Sequence, residues 1–206
     1  MKLTRRQLNR IIAESLGTEP VQEIKGIPKI LNFGKMRKDL FAIPVFETQI
    51  KLNKIKTIGG EFQPTWESGV LTTFGSGLTV RPSTWEYLKK VIQPFLDDLG
   101  DPYRQITFTG MWRNKYDPRS YQGYHIHPKS QWSFIIYEDV TSRTAFMNPS
   151  FALIQNQMSD HAKSFPLDYR PNLEPGSMIV FPSFIGHEVL PGNTGTTLSG
   201  NILVEY

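Results

Sequence analysis

Residues 176–187 read Gly176-Ser177-Met178-Ile179-Val180-Phe181-Pro182-Ser183-Phe184-Ile185-Gly186-His187. The apolar run inside this stretch is strand-sized and ends at a proline. A second run, Phe134-Ile135-Ile136-Tyr137, has the same length and the same β-branched and aromatic character. Both fall far short of the roughly 18 apolar residues that a membrane-spanning helix requires. The chain therefore reads as built on short, fully apolar strands. Expected strands cover 43–50, 69–74, 105–115, 130–138, 143–147, 150–155, 176–182 and 197–205.

Composition agrees with a β-rich domain. The 206 residues include 16 Gly, 15 Pro and 12% aromatics, with 39% hydrophobic and 20% charged residues, enough for one sizeable core. The complete lack of cysteine excludes disulfide scaffolds, thiolate metal sites and Cys nucleophiles. No phosphate-binding glycine loop or nucleophile elbow is present. Gly75-Ser76-Gly77 reads as a hairpin turn.

Two helices are expected. Ser83 and Glu86 form a capping-box pattern, and Trp85, Leu88, Val91, Ile92, Phe95 and Leu99 then share one helical face up to Gly100, with Pro94 expected to bend the helix over 83–99. At the N-terminus, Thr4 and Gln7 cap a short amphipathic helix over 5–16, followed by an arm rich in Gly, Pro and charge to residue 42. The expected division is 1–42, helix and basic arm, and 43–206, the β domain. Residues 1–60 carry 12 Lys/Arg against 5 Asp/Glu, and residues 61–206 carry 11 against 14. A basic front of this kind suits an acidic partner surface. No nucleic-acid-binding module accompanies it, so specific DNA or RNA readout is not expected. The N-terminal arginines precede no apolar signal core, so the mature chain is expected to begin where the sequence begins.

The chemistry concentrates in histidines. In Tyr124-His125-Ile126-His127-Pro128 the two imidazoles at i and i+2 share one side of an extended segment. His187, arriving about 60 residues later on a neighbouring strand, would complete one face of a metal coordination sphere. His161 reads as an exposed loop residue.

Residues 110–206 resemble the iron(II)- and 2-oxoglutarate-dependent oxygenase superfamily, especially the small oxygenases often encoded by tailed phages and marine bacteria. The resemblance runs through Trp112, Asn114, His125-Ile126-His127-Pro128-Lys129-Ser130, Ser133 and Tyr137. It continues through Gly176 to Ser183, His187 and Val189, and closes on Thr197-Leu198-Ser199-Gly200-Asn201. It implies a double-stranded β-helix, a jelly-roll-like core of two antiparallel sheets, with one packed helix and the N-terminal helix and arm outside it. It also implies iron(II) held by His125, His127 and His187, and a 2-oxoglutarate pocket lined by Tyr116, Ser199 and Asn201. His127 stands where the superfamily usually has Asp or Glu, and Asp139 and Glu188 are the nearest alternative carboxylates. The family's Arg for the far carboxylate of 2-oxoglutarate falls at Gly195, which leaves Arg104, Arg113 or Lys115 as substitutes. Phe134 replaces a common small glycine and points either into the substrate cavity or into a sheet interface.

The function so implied is a dioxygenase of unknown substrate. One alternative is a non-catalytic assembly protein of a tailed-phage virion on the same barrel, meeting virion or host proteins through residues 1–42. Another is a cupin-like three-histidine metalloenzyme that works without 2-oxoglutarate. The expected location is a host cytoplasm or a virion, with no membrane partner and with homo-oligomerisation left open.

Overall fold

The computed structural model describes residues 42–206 apart from 65–67, 159, 161–163 and 193. The expected N-terminal helix, nearly all of the basic arm and His161 lie outside the described residues. Ile43–Tyr206 form one compact unit.

The strands are β1 (Phe46–Gln49), β2 (Thr57–Ile58), β3 (Gln63–Pro64), β4 (Leu71–Thr72), β5 (Thr79–Val80), β6 (Gln105–Tyr116), β7 (Gln122–His125) and β8 (Trp132–Tyr137). They continue with β9 (Thr144–Met147), β10 (Asp168–Tyr169), β11 (Ser177–Pro182), β12 (His187–Val189) and β13 (Gly195–Glu205). Helix α1 spans Pro82–Asp98 and α2 spans Phe151–Gln157. A seven-stranded sheet runs β1-β11-β8-β13-β6-β4-β3, and a four-stranded sheet runs β10-β9-β12-β7. All pairings are antiparallel. This is the expected mainly-β, jelly-roll architecture.

Strand parity sorts the side chains of the large sheet. Phe134, Ile136, Met178, Val180, Leu198 and Ile202 join Leu88, Ile92 and Leu96 of α1 in one core. The alternate residues Ile135, Tyr137, Ile179 and Phe181 join Phe146, Leu173 and Ile185 in a second core that draws on the small sheet. Both faces of β8 and β11 are buried, which is why each reads as an unbroken apolar run rather than an alternation. Phe134 belongs to the helix-side core, edge-on to Phe108 with centroids 6.1 Å apart. A methyl on Gly200 would lie 2.3 Å from its ring, so the phenyl uses the room that this glycine leaves and stays out of the other core.

Several local expectations are corrected. Helix α1 begins at Pro82, one residue before Ser83, with Arg81 as N-cap and no side-chain cap bond. Proline at the first helical position has its φ preset and lacks a donor that would be unpaired there anyway. The first turn is held instead by Thr84, whose Oγ1 accepts from Lys56 N at 2.8 Å. The helix continues through Pro94, which sits on its exposed side. Burying Leu88, Ile92 and Leu96 at roughly 1.5–3 kcal/mol each outweighs the proline cost of about 3 kcal/mol.

Residues 150–155 are not a strand. Asn148 accepts from Ser150 N through Oδ1 and from Phe151 N through its carbonyl, a turn that starts α2. The expected strand 69–74 shortens to Leu71–Thr72. Gly75-Ser76-Gly77 is a turn but not a hairpin, because β4 pairs with β3 and β6 while β5 pairs with β2. Gly75 and Gly77 have φ of 75° and 78°, which glycine adopts without strain.

Candidate metal centre

Strands β7 and β12 set two histidines face to face, since His125 and His187 are direct antiparallel partners. The register slips between this pair and the next, Gln122 with Val189, and bulges of this kind re-aim side chains. His127 lies beyond the end of β7, so the extended segment stops at His125. His127 is held by its own N–H, which donates to Ser183 O at 3.1 Å, and the turn that follows it contains Lys129, with φ 64°.

The ligand atoms of His125, His127 and His187 lie within 4.8 Å of one another. Ring centroids are 4.3 Å apart for His125 and His187, 5.1 Å for His127 and His187, and 5.5 Å for His125 and His127. Among the described residues no carboxylate joins this cluster. Asp139 accepts instead from the backbone N–H and hydroxyl of Thr196. Glu188 alternates with His187 along β12 and so points to the other side.

Each ring has one nitrogen committed to an oxygen. His125 Nδ1 meets Gly123 O at 2.8 Å, His127 Nδ1 meets Asn201 Oδ1 at 2.8 Å and His187 Nδ1 meets Ile185 O at 3.1 Å. A carbonyl oxygen only accepts, so Nδ1 carries the proton in all three rings and Nε2 keeps its lone pair. Such partners fix the tautomer and raise ligand basicity. Asn201 is further held by the Ser133 hydroxyl at 3.0 Å, and Ser133 by Ser183 at 2.7 Å.

Electrostatics favour the same state. Burial lowers the pKa of His127 to about 4 and of His187 to about 3, with the other two rings adding to the shift at His187. Burial also lowers His125. Aromatic walls contribute to this: Trp112 is 5.5 Å from His127 by ring centroids, and Phe181 and Phe146 are 4.9 and 5.6 Å from His187. Three imidazoles whose ligand nitrogens lie within 4.8 Å of one another and whose Nδ1 atoms are tied to oxygens fit a divalent transition metal; ligand type alone suits Fe, Zn, Cu and Ni alike.

A cavity of about 240 Å³ opens beside the histidines. Tyr116, Ser199 and Asn201 all line it, as do Asn114, Gln122, Tyr137, Thr144 and Thr197. Tyr116 is buried and its hydroxyl donates to Gln122 Oε1 at 2.6 Å. The three cations expected as carboxylate partners are elsewhere. Arg113 forms a two-pronged pair with Glu138 at 2.7 and 2.8 Å. Lys115 shares its strand parity, opposite to the cavity-facing Trp112, Asn114 and Tyr116, and Arg104 precedes β6 at a separate surface hollow. Gly195 has φ 131°, and a Cβ there would lie 2.6 Å from Asp139 Oδ1, so this backbone has no place for a side chain. Sequence reasoning did not find Gln122 or Thr144, whose approach depends on β7 and β9 flanking β12.

The described residues thus form a jelly roll with a cluster of three histidines beside a cavity, an arrangement able to hold a metal ion. Residues 110–197 match the family described as "Putative 2OG-Fe(II) oxygenase". No curated protein sequence matches it significantly. Solved structures similar to it include an oxidoreductase of the 2OG-Fe(II) oxygenase family from Burkholderia pseudomallei, with 14% identity over 77% of this chain and 68% of that one at a TM-score of 0.42. A prolyl-4-hydroxylase from Pseudomonas putida is 16% identical over 70% and 77%, with TM-score 0.42. The viral collagen prolyl hydroxylase of Paramecium Bursaria Chlorella virus-1, solved with 2OG, is 13% identical over 75% and 82%, with TM-score 0.42. The histidine cluster fits binding of iron(II), and the matched family is one named for 2-oxoglutarate. Among the described residues no helix is long and apolar enough to cross a membrane.

Proposed function

We propose that the protein is a mononuclear iron(II)-dependent oxygenase whose metal is held by Nε2 of His125, His127 and His187. The observation that carries this reading is the convergence of three neutral imidazoles whose Nδ1 atoms are each tied to an acceptor. Iron(II), when bound, supplies the activation of dioxygen. The chain supplies the rest. Gly123 O, Asn201 Oδ1 and Ile185 O keep the protons on Nδ1 and so keep the lone pairs directed inward. Phe146, Phe181 and Trp112 pack against His127 and His187 and shield those two rings from water. Phe74 and Ile126 line the cavity yet remain exposed, which makes them the apolar rim past which an oxidisable substrate enters.

Anaerobic titration with Fe(II) tests the reading. The wild-type chain should bind one equivalent, and His187→Ala should lower the affinity at least 100-fold. Equal iron content in the two proteins, both shown to be folded, overturns it.

A further inference from the structure

The end of the cavity away from the histidines has a chemistry of its own. On β13 and its neighbours, Thr197 pairs with Asn114 and Tyr137, four residues from Asn201. On the small sheet, Gln122 and Thr144 pair with Val189, two residues beyond His187. With Tyr116 this makes six polar side chains converging at one end of the cavity, and all six are neutral residue types. Tyr116 is shifted upwards by burial and Tyr137 is pushed up to about 12 by the same cause, so both phenols stay protonated. Among the described residues no Lys or Arg lines the cavity.

One of the six has an unpaired acceptor. Asn114 is 2% exposed, lines the cavity, and its Oδ1 has no hydrogen-bond partner. A buried acceptor left unpaired costs about 1–3 kcal/mol, which a ligand bearing a donor would recover. A carboxylate in the same place would lose its hydration, find no cation and face an oxygen; an isolated buried carboxylate is far costlier than a neutral amide. We infer that this cavity selects a metal-chelating 2-oxo acid, or an analogue of one, whose far end is uncharged and carries a hydrogen-bond donor, received by Asn114 with Tyr116, Gln122 and Thr197 around it. The inference rests on the metal centre proposed above and concerns which tail that centre accepts.

The test uses an isosteric pair, N-oxalylglycine and N-oxalylglycinamide, which share the chelating head and differ only in a carboxylate or carboxamide tail. The full-length protein is first titrated with Co(II) by visible absorption, and each compound is then titrated into the cobalt-loaded protein by calorimetry. The carboxamide should bind at least tenfold more tightly, and Asn114→Leu should reduce that preference to threefold or less while the Co(II) spectrum persists. N-oxalylglycine binding as tightly as its amide or more so, or neither compound binding to cobalt-loaded wild type, overturns the inference while leaving the metal centre standing. Failure to bind Co(II) at all overturns the metal centre and the inference together.

Discussion

The two faces of the seven-stranded sheet are made by the same strands and behave as different materials. Towards α1, β13 presents Leu198, Gly200 and Ile202; towards the cavity it presents Thr197, Ser199 and Asn201. The first face is a dry contact between close-packed side chains. The second is a layer of hydroxyls and amides in which Asn201 Oδ1 is shared by His127 and Ser133 while the buried Asn114 Oδ1 has no partner. Because side chains alternate with period two, a register slip of one residue would exchange the faces. The dry face therefore holds the register on which the wet face depends, and damage to the two should separate in experiment.

The largest separation is expected from Phe134→Ala. The ring is fully buried and packs over Gly200, so its loss should cost about 3–5 kcal/mol, read by urea unfolding. Metal affinity in the folded fraction should stay within threefold of wild type. A parallel fall in metal affinity would show that the dry face shapes the site as well as stabilising it.

The next effect comes from the wet face and from pH. His127 and His187 have folded pKa values held down to about 4 and about 3, mainly by burial, against about 6.5 when unfolded. Stability is then complete above pH 6.5 and is lost as pH falls towards the folded values, because only the unfolded chain takes up protons in that window. The metal-free protein should lose on the order of 3 kcal/mol per histidine between pH 7 and pH 4. In His127→Gln the slope of stability against pH between 6.5 and 4.5 should be visibly shallower. An identical slope would mean that the imidazole is not buried in solution.

How much of this contrast is legible in the sequence depends on which atoms carry it. The dry face is legible because Phe134 to Tyr137 and Met178 to Phe181 are too short for membrane spans and too uniformly apolar for exposed strands. The three histidines are legible through their ordered context. The atoms that orient them are less so: Gly123 O and Ile185 O are backbone carbonyls, which no residue type announces. Asn201, read as part of the cosubstrate pocket, also holds His127, a contact created by pairing residues 74 apart. Residues 151–154 mislead because four consecutive apolar side chains suit a strand or a helix, and the Asn148 turn before them decides.

Asn201→Ala would sharpen the comparison from the wet side. Losing the partner of a ligating imidazole typically lowers metal affinity 10- to 100-fold, and the Co(II) titration should show a fall in that range. Stability should drop by about 1–3 kcal/mol, because the buried His127 Nδ1–H loses its acceptor while Ser133 keeps Ser183 as a partner. A large loss of stability with metal affinity unchanged would reverse the assignment of this residue.

The smallest effect concerns the turn that follows His127. Lys129 is the one non-glycine residue with positive φ among the described residues, a conformation that costs an L-residue with a Cβ roughly 1–2 kcal/mol. Glycine would relieve that strain, while its freer unfolded chain would return about 0.4–1 kcal/mol of the gain. Lys129→Gly should therefore stabilise the protein by under about 1 kcal/mol, a rise of a few degrees in Tm at most. Metal affinity should not change, because the turn is closed by His127 N–H on Ser183 O and by the Ser130 hydroxyl on Ser183 Oγ at 3.0 Å, neither of which uses the lysine. If the variant is less stable than wild type, the lysine side chain makes a contact worth more than the strain. The turn would then depend on residue 129 itself as well as on the serine network beneath it.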